Sequence, residues 1–177
     1  ILQVVSSTRR RGAEVFAAQL GSELTRRGHE VSTVSLERRS DPQGLPFDEL
    51  TVPGRNPRAV WALARRARRC DVLVAHGGST LLPVAAASKL AGRPFVYRNI
   101  GDPSFWGRAR GANLRVGVPL RSAAGVVALY PDAAKYMRKR YGVSPKRHTV
   151  AANAVDVDRF PAATPELRRS VRTELGL

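Results

Sequence analysis

The sequence predicts an α/β domain: a doubly wound, mostly parallel sheet with helices on both faces. Two observations predict it. Short apolar runs alternate with segments of helical periodicity along the whole chain, and that alternation calls for parallel strands joined by crossovers. Runs such as ILQVV are continuous in their hydrophobicity, as in strands buried on both faces. The chain has 177 residues, 43% of them hydrophobic, enough for one domain with a packed core. Residues 1–177 are therefore read as one domain. Because the chain starts at Ile1 inside a strand-like run, it is expected to be part of a longer protein.

ILQVV (1–5) is the first strand. From Ala13 to Arg27 the pattern turns helical, with Phe16, Leu20 and Leu24 on one stripe beside Ala13 and Ala17. Gly28 closes that helix at the usual glycine position. HEVSTVSL (29–36) alternates and reads as the second strand. Residues 37–55 hold three prolines and two glycines and read as a loop with a short extended piece.

A helix is predicted over 57–69, with Val60, Leu63, Ala64 and Ala67 forming its apolar stripe. Arg58, Arg65, Arg66 and Arg69 fall opposite, and Trp61 and Arg68 lie on the boundary. CDVLVAHGG (70–78) is a strand ending in a glycine turn, and STLLPVAAASKLAG is an alanine-rich helix closed by Gly92. RPFVYRNIGD (93–102) gives the next strand and its exit. A helix over 107–123 and a strand at AGVVALY (124–130) follow. PDAAKYMRKRYG (131–142) has proline in the first helical turn, Asp132 beside it and Gly142 after the end. KRHTVAA is a short last strand, and TPELRRSVRTELG a terminal helix capped by Thr164. Val4, Val72, Val74, Val96 and Val127 are expected to be buried in the sheet.

The net charge is +16, from 30 Lys+Arg against 14 Asp+Glu. Such an excess favours anionic partners: nucleic acid, an anionic membrane or phosphorylated ligands. All the cations except Lys89, Lys135, Lys139 and Lys146 are arginine, a bias that genome composition alone also produces. Cys70 stands alone, so no disulfide or CxxC site forms within the chain, and it reads as a small semi-buried residue. No apolar run reaches the length of a membrane span, and Ile1–Val5 is too short for a signal-peptide core. The protein is expected to be cytoplasmic.

In doubly wound sheets, ligands sit beyond the carboxyl ends of the strands, where strand order reverses. That directs attention to the turns at Ser6–Gly12, His76–Ser79, Asn99–Ser104 and Tyr130–Pro131. At the first of these, Gly12 lets a ligand approach the backbone, and the helix start offers free N–H groups and a partial positive charge. Arg9, Arg10 and Arg11 would add to that field. Two readings stay open there: the arginines face an anion, or Glu14 answers the helix dipole and the arginines are solvated. Gly12 alone does not make the G-x-G-x-x-G dinucleotide fingerprint, Glu37 is weak as a ribose-binding acid without it, and there is no Walker A loop.

His76 lies at a strand end before two glycines, and reads either as a cleft histidine or as a structural one. Asp102, at the next strand exit, is placed to orient a hydroxyl or accept a proton, and equally to cap a turn. No histidine cluster or acid pair has metal-ligand spacing, so no bound metal is expected. The basic helix with its boundary Trp61 suits an anionic membrane surface, although packing of its stripe on the sheet explains the apolar residues as well.

Three stretches together resemble the N-terminal domain of family 4 glycosyltransferases, one Rossmann-like half of the GT-B fold. RRGAEVFAAQLGSELTRRGHEVSTVSL is close to the family's opening G-G-A-E…L-A-x-x-L-x-x-R-G-H-E-V. DVLVAHGGSTLLPVAAASKLAGRPFVYRNIGD is close to its D-V-V-x-x-H…G-x-P-x-V…H-G segment. GVSPKRHTVAANAVDVDRFPAA is close to G-V-x-x-x-K-x-x-V-I-P-N-G-V-D-x-x-x-F. Their order and spacing cover nearly the whole chain.

The resemblance implies retaining transfer from a nucleotide-sugar donor with no metal or other cofactor. This domain would bind the acceptor, anionic or lipid-linked, and a C-terminal domain absent from this chain would bind most of the donor. The chain alone would then be inactive. The full enzyme is expected in the cytoplasm, where the basic helix at 57–69, not the resemblance, suggests peripheral contact with the inner face of an anionic membrane. On this pattern Gly12 approaches the donor diphosphate. Arg9, Arg10, Arg11, His76, Gly77 and Asn99 are assigned to the acceptor, and Asp102 to catalysis.

The sequence departs from the pattern at Arg11, which replaces the second glycine, and at Ile100, which replaces the histidine of the H-G exit. Ala152 and Ala154 replace the proline and glycine of P-N-G-V-D, and Tyr130 stands where a serine is common. Asp102 or Asn99 would compensate for the missing histidine. Two other classes compete: a basic α/β module binding nucleic acid or another polyanion, which lacks a recognised motif and has few stacking aromatics, and a nicotinamide-dependent enzyme, disfavoured by the missing glycines.

Overall fold

A computed structural model of the chain describes all residues except 38–42, 51–53, 55, 109–110 and 155–161. Among the described residues seven strands form one sheet in the order β3-β2-β1-β4-β5-β6-β7, and every pairing is parallel. The strands are β1 (Leu2–Val5), β2 (Ser32–Ser35), β3 (Asp48–Glu49), β4 (Leu73–His76), β5 (Phe95–Arg98), β6 (Gly125–Ala128) and β7 (His148–Val150). Six α-helices are described among them: α1 (Gly12–Arg26), α2 (Pro57–Ala67), α3 (Gly78–Ala91), α4 (Val118–Ser122), α5 (Pro131–Tyr141) and α6 (Pro165–Glu174). The chain winds outward from β1 to β3, then crosses back to β4 beside β1, so strand order reverses between β1 and β4.

The helices divide unequally between the two faces. Leu2, Val4, Leu73, Ala75, Phe95, Tyr97 and Val126 share a buried cluster with Leu63 of α2, Leu81 and Val84 of α3, Leu120 of α4 and Met137 of α5. The opposite face is met by α1, where the Gln3 amide donates to the Ala17 carbonyl at 2.9 Å. This corrects one expectation. Val4 points into the cluster and is buried, but Val72, Val74, Val96 and Val127 are only half-buried. Register puts Val74 beside Gln3 and Val96, on the face of α1, which packs on β1, β2 and β4 but leaves β5 and β6 less covered. Apolar runs specify strands; they do not specify that both faces are equally covered.

Helix ends follow the local chemistry. Gly28, Gly92 and Gly142 all adopt positive φ after α1, α3 and α5, the left-handed backbone that glycine supplies without strain. The Thr164 hydroxyl accepts from the Leu167 N–H at 3.2 Å, the expected cap of α6. The single helix expected over 107–123 is instead three pieces: a 3-10 helix at Pro103–Arg108, a π-helical turn at Asn113–Gly117, and α4. Gly111, with φ of 77°, breaks the run, and Pro119 has no N–H to continue an α-helical ladder from the residues before it. The short extended piece of the 37–55 loop is β3.

Candidate functional site: a cavity at the strand ends

A cavity of about 1380 Å³ opens at the carboxyl ends of β1 and β5 and the start of α3, at the reversal of strand order. One side is the start of α1, with Arg11, Gly12 and Glu14; the opposite side is α3, with Leu82, Pro83 and Leu90. The exit of β5 contributes Arg98, Ile100 and Asp102, and the following turn Phe105 and Trp106.

The α1 end explains the run of arginines. Arg11 is the N-cap residue, and a carboxylate at the third helical position lies in the positive field of the helix start. Glu14 occupies that position and is buried. Its Oε1 accepts from Arg11 at 3.0 Å and from Ser6 Oγ at 2.9 Å. Arg11 also donates to Ser7 Oγ at 2.8 Å. Arg9 and Arg10 are exposed and do not line the cavity. Gly12 does line it, has no positive φ, and a Cβ built on it would meet nothing within 4 Å. The backbone there is open to a ligand.

His76 is brought elsewhere. It points beneath α1, 1% exposed, with Nε2 at 2.9 Å from Gln3 Oε1. The Gln3 amide nitrogen donates to Ala17 and Thr33, so Oε1 is its acceptor and His76 carries its proton on Nε2. Burial, reinforced by the Arg98 charge, lowers the His76 pKa to about 3. It is a neutral structural histidine, outside the cavity lining.

Gly77 is the N-cap of α3 with φ of 85°, and a Cβ there would lie 2.5 Å from Ile100 Cδ1. It lets β4 turn tightly under the β5 exit rather than contacting the cavity. Asn99 is fully buried, its side chain beside the Tyr97 hydroxyl. Asp102 does line the cavity and is exposed. Its two carboxylate oxygens each accept from Ser104, from the N–H and the hydroxyl, both at 2.8 Å, so it caps the turn as well as facing the site.

Sequence reasoning missed Arg98. It ends β5 on the face of α1, paired in register with His76, and is 5% exposed. One guanidinium nitrogen donates to the Asn153 side-chain oxygen, and its centre lies 3.3 Å from the Phe16 ring centroid. The signal was an arginine closing an apolar strand run, where a solvated side chain is not expected.

The apolar stripe of α2 packs on α3. Trp61 stays 56% exposed, with Arg65 stacked 5.1 Å from its ring centroid. Cys70 is half-buried. Among the described residues no group of His, Cys, Asp and Glu can hold a metal ion, and no helix is long and apolar enough to cross a membrane.

The family model described as Glycosyltransferase Family 4 matches residues 10–159. No curated protein matches the sequence. Among solved structures, Anabaena HepE in complex with UDP and glucose is 19% identical with a TM-score of 0.77, over 99% of this chain and 50% of that one. A glycosyltransferase from Rickettsia africae is 18% identical with a TM-score of 0.67, over 99% and 48%. A UDP-N-acetylglucosamine 2-epimerase from Rickettsia bellii is 15% identical with a TM-score of 0.62, over 100% and 52%. The chain spans about half the length of these structures. Their shared fold hosts both transfer and epimerisation, so the fold by itself does not name a reaction.

Proposed function

The chain belongs to Glycosyltransferase Family 4, and from that premise we propose that it is the acceptor-side half of a retaining glycosyltransferase. The complete enzyme moves a sugar from a nucleotide-sugar donor to an acceptor that is anionic or lipid-linked. The observation that carries this reading is the open backbone at Gly12, facing the cavity at the start of α1. A helix start with no side chain in the way admits a diphosphate to free N–H groups and to the positive end of the helix dipole. The complex of HepE with UDP and glucose supports a nucleotide-sugar donor.

A C-terminal domain completes the donor site, so this chain by itself turns nothing over. Gly12 approaches the diphosphate, and Arg11 adds positive charge at the same edge. Asp102, which caps its turn through Ser104, also faces the cavity and orients the acceptor hydroxyl. Ile100 brings no proton-transfer group to the β5 exit, where Asp102 places a carboxylate against the cavity. Charge developing on the leaving diphosphate is met by helix N–H groups and arginine rather than by a metal. Trp61, Arg58, Arg65 and Arg69 form the patch for peripheral contact with an anionic membrane on its cytoplasmic side.

The test uses the full-length protein and a panel of nucleotide sugars, with the product anomer read by NMR. Transfer with retained anomeric configuration is expected. Inversion, or epimerisation of the donor without transfer, contradicts the reading.

A further inference from the structure

Arg98 is the cavity's least explained group. It lines the cavity, yet it is buried. One nitrogen is held by Asn153, and the guanidinium lies against Phe16. Its other terminal nitrogen, Nη1, is buried without a hydrogen-bond partner. Among the described residues no carboxylate pairs with it: Glu14 is engaged by Arg11, and Asp102 by Ser104. Burial lowers its pKa only to about 10, so it stays charged at neutral pH. A buried cation without an anion is costly, and the cost is recovered when an oxyanion arrives. A guanidinium held at one edge is also pre-organised to fork onto phosphate or carboxylate.

Beside this charge the cavity wall is apolar. Leu82, Leu90, Ile100 and Phe105 all line it and are 50%, 55%, 40% and 66% exposed. Large apolar side chains exposed together in one concave surface mark a binding site. A sugar hydroxyl surface does not need such a wall, and a simple anion does not use it.

Resting on the glycosyltransferase reading, we propose that Arg98 is the anion-recognition site of this cavity, and that the acceptor is an amphiphile. Its phosphate or carboxylate is gripped by the free edge of Arg98, while its apolar chain lies along Leu82, Leu90 and Phe105. Asn153 is a positioning residue that fixes the guanidinium for this contact.

The experiment titrates the full-length protein with three probes by calorimetry: decyl phosphate, inorganic phosphate and the neutral decyl maltoside, each amphiphile below its micelle concentration. Decyl phosphate should bind tightest. Arg98→Met should weaken it at least about tenfold, the scale of one charge-assisted contact, and leave decyl maltoside unchanged. Arg98→Lys should lie between, because it keeps charge and loses the fork. Thermal melts check folding. Should Arg98→Met not fold, Asn153→Ala leaves the charge in place and should still weaken decyl phosphate selectively.

Equal binding of decyl phosphate by wild type and Arg98→Met, or equal losses for both amphiphiles, overturns the proposal. Inorganic phosphate binding as tightly as decyl phosphate overturns the apolar-chain half of it. Nucleotide-sugar turnover is measured on the same samples. Its absence in the wild type counts against the transferase reading alone, because the probe affinities do not depend on it.

Discussion

Arg11 and Glu14 form an ion pair across the first turn of α1, 3.0 Å apart, in which the carboxylate is buried and the guanidinium is half in solvent. The three arginines before α1 therefore divide. Arg11 answers an internal carboxylate, and Arg9 and Arg10 are solvated surface. The turn keeps room for a ligand because its next residue is Gly12.

The pair is asymmetric, and so are the expected costs of breaking it. Glu14→Ala removes the acceptor shared by Arg11 and Ser6 and a favourable charge at the helix start. It should destabilise the domain by about 2–3 kcal/mol, the range for buried charge-assisted hydrogen bonds. Arg11→Ala removes the exposed partner and leaves Ser6 bonded to Glu14, so it should cost about 1 kcal/mol or less. Denaturant unfolding of both variants checks the order. A larger loss for Arg11→Ala would show that the carboxylate depends on the guanidinium to remain buried.

His76 makes stability depend on pH. Its folded pKa of about 3 lies below the ordinary value of 6.5 because burial penalises the charged form. The unfolded state binds the proton first, so the contribution is fully present above about 6.5 and is lost as pH falls through that window towards 3. The loss is at most about 1.4 kcal/mol for each pH unit in the window. His76→Gln lacks the titrating group. Unfolding midpoints at pH 7 and pH 5 should fall less for this variant than for the wild type. An equal fall in both would mean that His76 is not held neutral.

On the proposed reading the diphosphate is met by helix N–H groups and arginine, so transfer by the full-length protein should be unchanged after chelation. Activity assayed with and without EDTA checks this. Complete loss restored by a divalent ion would contradict it.

The strand-helix alternation, the glycine stops and the Thr164 cap were legible because each is a local signal written in a few consecutive residues. The half-buried valines were not, because coverage of a face depends on which helices pack there. His76 and Arg98 show the same limit. The two face each other across β4 and β5, both on the side of α1. A strand-end position leaves His76 open between cleft and core, and the family resemblance gives it to the acceptor; the alternation of side chains turns it under α1 instead. Arg98, two residues before the family's histidine position, reaches the cavity from that same face. Gly12 and Asp102 do line the cavity, and for that placement a turn at a strand exit is itself the signal. The split of 107–123 into three helical pieces turns on Gly111 and Pro119, whose effects compete with an otherwise helical pattern.

The central claim is that the open backbone at Gly12 is where the donor diphosphate comes in. The most direct measurement is steady-state kinetics of full-length Gly12→Val, with thermal melts alongside. A Cβ at Gly12 meets nothing in the folded chain, so the variant should melt close to the wild type, within the few tenths of a kcal/mol typical of surface changes. Its branched side chain would stand between backbone and phosphates, so turnover and donor affinity should fall together, by about a hundredfold in kcat/KM, or about 2.7 kcal/mol. A folded Gly12→Val enzyme with normal kinetics would contradict the account and remove the diphosphate from this turn.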